Sequence, residues 1–271
     1  MKAMTFTLLS EPMEWLDLSV LTPSTISGLT LPQIEKLRVG TSRRPAVVGD
    51  LFKVEGTDRQ NLVLQGGSAR FDRVGAGMDS GSLRVIGNVG SQAGRKMSGG
   101  RLTIEGNAGD HAGSGMAGGR FELMGSAGDH VGAPLAGEIS GMQGGVFVIR
   151  GRAGHYAGDR LRRGIVAIGK GCGDYTGCRM IAGTIVVVGR VGAMPGYLMK
   201  RGSLVFDRHP AALSPTFVAC GRPDMAFSSL FDRYLIAEGI FERPLLGQRP
   251  GKYAGDTAVS GKGELLYRSA R

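Results

Sequence analysis

His111 and His130 stand 19 residues apart, each directly after an aspartate (Asp110, Asp129), and the next units offer His155-Tyr156 and Asp174-Tyr175. Stacked imidazoles and carboxylates are donors that zinc accepts. No water-activating acid or second ligand set accompanies them, so the pattern reads as a polar ladder at a turn, with no metal expected. Gly169-Lys170-Gly171-Cys172-Gly173 imitates a phosphate-binding loop. No helix-forming segment follows it to hold a phosphate at its N-terminus. Nothing resembles a nucleophile elbow or a catalytic triad, and no catalytic residue is expected. Cys172, Cys178 and Cys220 are too few and too irregular for a disulfide framework or a paired metal site, and read as buried free thiols.

Charge is the stronger chemical signal. The chain of 271 residues carries a formal net charge of +10, very unevenly distributed. Residues 1–80 hold nine basic and nine acidic groups, and 81–149 hold five of each. Residues 150–208 hold eleven basic groups against Asp159, Asp174 and Asp207 only. Within that block Arg152, Lys170 and Arg190 recur at or beside one position of successive units, and Arg160 and Arg179 recur at another. Like charges stacked about 5 Å apart repel unless an anion lies between them. These five are therefore the candidate site, for an anionic ligand or an acidic partner. Nucleic acid is not expected, because the block offers chiefly Tyr156, Tyr175 and Tyr197 for base stacking.

The elements that position these residues follow from a repeat. Gly87, Gly106 and Gly125 are 19 apart, Gly151 follows at 26, and Lys170 and Gly189 return to 19. Gly90, Gly109, Gly128, Gly154, Gly173 and Gly192 keep the same register, as do Gly94, Gly113, Gly132, Gly158, Gly177 and Gly196. Each unit thus reads G-x-x-G-x-x-x-G. Apolar columns keep step: Met78, Met97, Met116, Leu135, Leu161, Met180 and Met199 form one. Leu83, Leu102, Phe121, Phe147, Val166, Ile185 and Leu204 form a second, and Val85, Ile104, Leu123, Ile149, Ile168, Val187 and Phe206 a third on the same strand face.

One short strand per 19 residues cannot bury its apolar face alone, so the units must stack. The expected fold is all-β, a right-handed parallel β-helix of 19-residue coils with glycine at corners that need positive φ or close backbone approach. A leucine-rich horseshoe would show helical segments and an Asn ladder, and neither is visible. The seven-residue insertion near Glu138 to Gly144 should protrude from a corner. Three segments are expected: an N-terminal cap (1–60), the β-helix (61–207) and a C-terminal appendage (208–271). Residues 31–38 and 224–241 have helical apolar spacing, the second amphipathic enough to cap the last coil, and the Gly-rich tail should pack as an extended segment on a neighbour or on the helix side. Outward strand positions are Arg84, Thr103 and Glu122 early but Val148, Ala167, Val186 and Val205 later. Runs such as Thr184 to Val188 lack alternation, so the chain's own end or another subunit must cover that face. No membrane span or secretory leader is read, and the chain is expected to be cytoplasmic.

From Gly87 through Gly196 these units resemble the β-helix shared by the C-terminal domain of the glutamate synthase large subunit and the C subunit of formylmethanofuran dehydrogenase. Thr22-Pro23, the segment Leu31 to Arg38, Leu-Phe-Lys-Val-Glu-Gly at 51–56 and Gly261-Lys262-Gly263-Glu264 are similar to the second along the whole chain. The resemblance implies a non-catalytic scaffold subunit in one of two settings. One is a tungsten or molybdenum formylmethanofuran dehydrogenase. The other is a bacterial formyltransferase/hydrolase complex converting formyl-tetrahydromethanopterin, through a formyl-methanofuran-type carrier, to formate. Arg outnumbers Lys 25 to 8, which favours a GC-rich bacterial genome and the second setting. A detached glutamate-synthase-type domain is a further alternative. The resemblance implies formyltransferase and amidohydrolase-like subunits as partners and a methanofuran-type carrier with a glutamate-rich tail as the bound cofactor. Arg152, Arg160, Lys170, Arg179 and Arg190 are the residues expected to hold that tail.

Overall fold

The structure is a computed structural model and describes residues 2–42 and 45–269. The N-terminal segment contributes β1 (Ala3–Leu8), β2 (Leu16–Asp17), three short helices α1 (Pro23–Ile26), α2 (Leu31–Glu35) and α3 (Val48–Leu51), and then β3 (Phe52–Glu55). The repeat supplies β4 (Asp58–Gln65), β5 (Phe71–Asp72), β6 (Ser82–Ile86), β7 (Arg101–Ile104), β8 (Arg120–Leu123), β9 (Gln143–Ile149), β10 (Arg163–Ile168), β11 (Thr184–Val187) and β12 (Arg201–Phe206). After it come β13 (Val218–Ala219), α4 (Ala226–Ala237), β14 (Gly251–Gly255) and β15 (Lys262–Tyr267).

All of these strands except β2 and β5 form one 13-stranded sheet in the order β13-β14-β15-β12-β11-β10-β9-β8-β7-β6-β4-β1-β3. From β1 to β15 every neighbouring pair is parallel, while antiparallel β3 closes one end and β14 with β13 the other. This is a parallel β-helix. Its ladder extends past the glycine repeat at both ends, because β1 pairs with β4 and β15 pairs with β12 in full register from Arg201↔Lys262 to Phe206↔Tyr267. The tail is therefore extended and packs on the β-helix itself, as a strand pair of the sheet: alternation in Lys262–Tyr267 buries Leu265 inside and Leu266 outside.

The interior columns stack as the spacing requires. Leu102↔Phe121↔Phe147 pair across β7, β8 and β9, with the two phenyl rings 4.1 Å apart and 4° from parallel. In the methionine column the insertion changes the register. Met142, 0% exposed, fills the slot between Met116 and Leu161, and Leu135 is only half-buried in the insertion. Met142 is followed by Gly144 and Gly145, as Met116 is by Gly118 and Gly119, so the extra residues lie before it. The insertion folds back onto the coils: Glu138 receives Arg95 (2.8 Å) and Lys96 (3.5 Å), and the Leu135 amide donates to its carboxylate (3.0 Å).

The glycine columns have two separate causes. Gly113 has φ +69, and a Cβ there would meet the Phe147 ring at 2.8 Å. Gly109 has no positive φ; its added Cβ would stand 2.9 Å from the Gly90 carbonyl carbon and 3.0 Å from the Ser91 nitrogen of the coil below. Close approach of one coil to the next is what demands glycine there.

The helix expected at 224–241 does not cap the last coil. α4 lies across the outer face of the later strands, where Phe231 and Leu235 join Ile240, Leu245 and Leu246 over Val148, Ala167, Val186, Val205 and Leu266. The chain's own C-terminal segment thus covers the non-alternating strands, which removes the reason to expect a partner on that face. In the early coils the same face carries ion pairs, with Arg84 on Glu105 (2.6 Å) and Arg120 on Glu122 (2.7 Å) and Glu238 (3.3 Å).

Buried Leu235 and exposed Leu230 lie on the same helix, so they separate packing from propensity. Leu235→Ala should lower unfolding stability by about 2–5 kcal/mol, read from the urea midpoint, whereas Leu230→Ala should stay within about 0.5 kcal/mol. Equal effects would mean that α4 is not docked on the strands.

Candidate functional site

Where each strand ends, the chain turns through a position that changes chemistry along the solenoid. In the early coils it is a hydrogen-bonding ladder: Asn88 Oδ1 accepts from the Asn107 amide (2.8 Å), and Asn107 Oδ1 accepts from the Ser126 amide (2.8 Å). Ser126 Oγ then accepts from the Arg152 amide (3.1 Å). A short Asn ladder thus exists, contrary to the expectation from sequence, within a strand-only coil. From Arg152 onward the position no longer caps the next coil. Bridges Ala153↔Cys172↔Val191 keep the backbones stacked, so Arg152, Gly171 and Arg190 are equivalent, with Lys170 one residue earlier.

The side chains of Arg152, Lys170 and Arg190 are exposed, and among the described residues none makes a hydrogen bond or ion pair. Coils rise by roughly 4.8 Å, so this edge places cations over about 10 Å. Nineteen residues past Gly189 and Arg190 stand Arg208 and His209, which extend the edge by one coil. Sequence reasoning missed them because the glycine repeat fades after Gly196; the 19-residue step itself was the available signal. Arg208 is held by Asp207 (2.9 Å), and His209 Nε2 lies 2.8 Å from the Tyr253 hydroxyl.

Beside this edge lies a cavity of about 410 Å³ between the strand-end residues Arg150, Gly169, Val188 and Asp207 and the loop Ile240 to Leu245. Arg150 spans it, donating to the carbonyls of Ile240 (2.6 Å) and Gly239 (2.8 Å). Its charge thus ties the loop to the strand ends.

Arg160 and Arg179 form a different column. They sit in left-handed backbone (φ 50 and 51), directly before Leu161 and Met180, on the turn leading into the next strand. Arg179 grips buried Asp159 with both arms, Nε to Oδ1 at 2.9 Å and Nη2 to Oδ2 at 2.6 Å. That contact raises its pKa further above the ordinary guanidinium value. Arg160 donates to the Glu138 carbonyl (3.2 Å). The five cations singled out in the sequence therefore divide into three unpaired ones on one edge and two engaged with the chain itself on another.

The histidine motif becomes two adjacent ladders. Asp110 accepts the Asp129 amide (2.8 Å), Asp129 the His155 amide (2.7 Å), His155 Nδ1 the Asp174 amide (3.0 Å) and Asp174 the Ala193 amide (2.7 Å). One residue on, the rings of His111, His130, Tyr156 and Tyr175 stack at 4.8, 5.2 and 5.1 Å, within 7° of parallel. All four have φ between 56 and 61, which makes the column a row of left-handed turns held by ring contact. Burial, then the neighbouring His130, lowers the pKa of His111. The two buried thiols offer no nucleophile: burial first, then Asp159, pushes Cys178 up to about 11, and burial also raises Cys172. Cys220 departs from the buried-thiol expectation and is exposed.

No family model matches the chain. A curated protein, the C subunit of the formyltransferase/hydrolase complex Fhc of Methylorubrum extorquens, is 48% identical over 253 residues, covering 93% of this chain and 95% of that protein. Among solved structures, one polypeptide of the X-ray structure of the formyltransferase/hydrolase complex FhcABCD from Methylorubrum extorquens, in complex with methylofuran, superposes with a TM-score of 0.93. It is 43% identical, and the match covers 98% of this chain and all of that one.

His111 gives the turn ladder a pH dependence whose sign follows from its depressed pKa. The unfolded chain takes up this proton near 6.5 and the folded chain only at lower pH, so the unfolded state binds more protons in that window and stability falls as pH drops below about 6.5. His111→Gln should remove part of that loss, since Gln92 already occupies the same left-handed position one coil earlier (φ 62). Urea midpoints at pH 7.5 and 5.5 check this; parallel losses in both proteins would show that His111 is not the titrating group.

Proposed function

The chain belongs to the family of the C subunit of the formyltransferase/hydrolase complex, and from that premise we propose that it is the scaffold of such a complex and holds the anionic tail of a methanofuran-type carrier along its basic edge. The catalytic steps belong to partner chains, a formyltransferase and an amidohydrolase-like subunit working with it in the cytoplasm. The first moves a formyl group from formyl-tetrahydromethanopterin to the carrier, and the second releases formate. This chain supplies geometry.

The single observation that carries the reading is the row of unpaired, exposed cations Arg152, Lys170 and Arg190, set on a backbone whose coils are locked in register. A row of guanidinium and ammonium groups spaced by the coil rise follows an extended carboxylate chain, each contact charge-assisted. Support for a non-catalytic role comes from the engaged chemistry elsewhere. The Asp column is occupied by backbone amides, Asp159 by Arg179, and the two buried thiols by burial itself. Arg160 and Arg179 contribute field to the surface but are committed to Glu138 and Asp159, so they act as secondary contacts for the tail. Among the described residues, no helix is long and apolar enough to cross a membrane.

Exposed ion pairs contribute about 0–1 kcal/mol each, so the edge works by multiplicity. Single substitutions at Arg152, Lys170 or Arg190 should change carrier content of the purified complex less than about fivefold. Changing all three to Glu should reduce carrier content and formyl transfer by on the order of a hundredfold, and added salt should weaken retention in the parent complex. Full carrier content in a correctly assembled triple variant, with assembly checked by size-exclusion chromatography, would sink the carrier-tail assignment.

A further inference from the structure

The two residues that follow the methionine column, on the turn leading into each strand, change chemistry along the solenoid. The early coils place Ser98-Gly99, Ala117-Gly118 and Gln143-Gly144 there, and the later coils Arg162-Arg163, Ile181-Ala182 and Lys200-Arg201. Backbone bonds hold the later rungs in register: the Arg162 amide donates to the Met142 carbonyl (2.9 Å), that of Ile181 to Leu161 (2.8 Å) and that of Lys200 to Met180 (2.8 Å). Lys262 pairs with Arg201 and adds one more cation on the next strand. Two dibasic rungs thus stand two coil rises, about 10 Å, apart, with half-buried Ile181 between them.

Arg162, Arg163, Lys200, Arg201 and Lys262 are exposed, and among the described residues none of their side chains makes a hydrogen bond or ion pair. The carboxylates closest to them along the chain or across the sheet are engaged. Arg179 grips Asp159 (2.6 Å), Asp256 accepts the Leu198 (2.9 Å) and Ala258 (2.8 Å) amides, and Glu264 pairs with Lys252 (3.0 Å). Like charges on one rigid edge repel, and carboxylates supplied from outside relieve that repulsion. This edge lies at the strand starts, whereas Arg152, Lys170 and Arg190 lie past the strand ends, so the two rows share no residue.

Apolar surface adjoins the charge, which fits a polypeptide better than a small anion. Val146 and Ile165, near the starts of β9 and β10, pack against the cluster that Phe231 and Leu235 of α4 join, and Arg120 at the start of β8 donates to the Glu238 carbonyl (2.9 Å). α4 therefore reaches the strand-start edge. Its Asp232 faces the loop beside the strand ends, and on the opposite side of the helix Phe227, Leu230 and Tyr234, spaced i, i+3 and i+7, are exposed. Aromatic and arginine side chains gathered on one surface are the composition of interface centres.

We propose that the strand-start edge and this flank of α4 form one docking surface for an acidic amphipathic segment of another polypeptide of the complex, an inference that rests on the scaffold reading above. The segment presents carboxylates to Arg162-Arg163 and to Lys200-Arg201, with an apolar side chain on Ile181 between them.

The test treats the assembled complex with a carbodiimide, which joins a lysine amine directly to a carboxylate in contact with it, and identifies the cross-linked peptides by mass spectrometry. Lys200 or Lys262 should be joined to an aspartate or glutamate of another polypeptide, in a segment that also carries apolar residues. Changing Arg162, Arg163 and Arg201 to Glu should weaken retention of that polypeptide by on the order of tenfold in Kd and shift its release to lower salt. Leu230→Ser should weaken it as well, and the variant with Arg152, Lys170 and Arg190 changed to Glu should retain it; urea midpoints equal to that of the parent chain confirm that the solenoid is intact. No such cross-link, a cross-link to a second copy of this chain or to the carrier, or unchanged retention in the Arg162, Arg163 and Arg201 variant would overturn the proposal. The carrier-tail assignment is read from the carrier content of the other variant, so it stands or falls separately.

Discussion

An amide of one coil meets a carbonyl of the coil below on every side of this solenoid: Gly109 N to Gly90 O (2.9 Å), Gly113 N to Ala93 O (2.8 Å), Glu105 N to Val85 O (2.8 Å). Those contacts fix the spacing of coils, and the spacing fixes nearly everything else. With coils held about 4.8 Å apart, a residue at one position must tolerate a copy of itself directly above and below. Methionine, leucine and phenylalanine tolerate it inside, where Phe121 and Phe147 lie ring on ring. At the turns, Asn and Asp use it, since each side chain caps the next coil's amide. Glycine appears where a backbone comes within 3 Å of a would-be Cβ, as at Gly109.

Cations are the residue type for which vertical repetition is unfavourable, and the chain treats them in two ways. Arg179 is neutralised by Asp159 of the preceding coil, and Arg95 and Lys96 by Glu138 on the insertion. Arg152 and Arg190 stand at the corner position that an Asn/Ser ladder fills in earlier coils, Gly171 takes it between them with Lys170 one residue before, and the three cations gain no hydrogen-bond or ion-pair partner among the described residues. Hydrogen-bond caps have thus been exchanged for uncompensated charge in consecutive coils. Stability alone would not favour that exchange.

The fold was legible because stacking writes itself into the sequence: equal spacing of Gly94, Gly113 and Gly132, or of Leu83, Leu102 and Phe121, needs no other explanation than coils in register. What escaped has physical reasons too. Leu135 and Met142 both satisfy an apolar slot, and only the pair of glycines following Met142 shows where the insertion ends. The tail's β15 lacks the flanking glycine columns, so its parallel pairing with β12 depends on residues 61 positions away, as between Ser203 and Glu264. α4 showed its inward apolar face in sequence, but which surface it covers depends on outer residues of several strands, beyond any local pattern. The candidate site was half legible. The 19-residue step located Arg152, Lys170 and Arg190, yet it located Arg160 and Arg179 equally well, because pairing with Asp159 or with the Glu138 carbonyl is a tertiary fact.

The covering of the outer face decides which surfaces remain for partners and ligands. Early coils carry the ion pairs of Arg84, Glu105, Arg120 and Glu122 on that face, and later coils cover it with Phe231, Leu235 and the loop to Leu246. Both ends of the ladder are closed by antiparallel strands, β3 and the β13-β14 pair, so no parallel strand edge of the 13-stranded sheet stands open among the described residues. The turns form a further surface, outside both the sheet face and the two strand-capped ends. Turns are where this chain concentrates exposed cations, the ring stack and the insertion. Rigid stacking thereby holds groups from distant coils at fixed separations, which a scaffold for an extended anionic ligand requires and a single flexible loop would not supply.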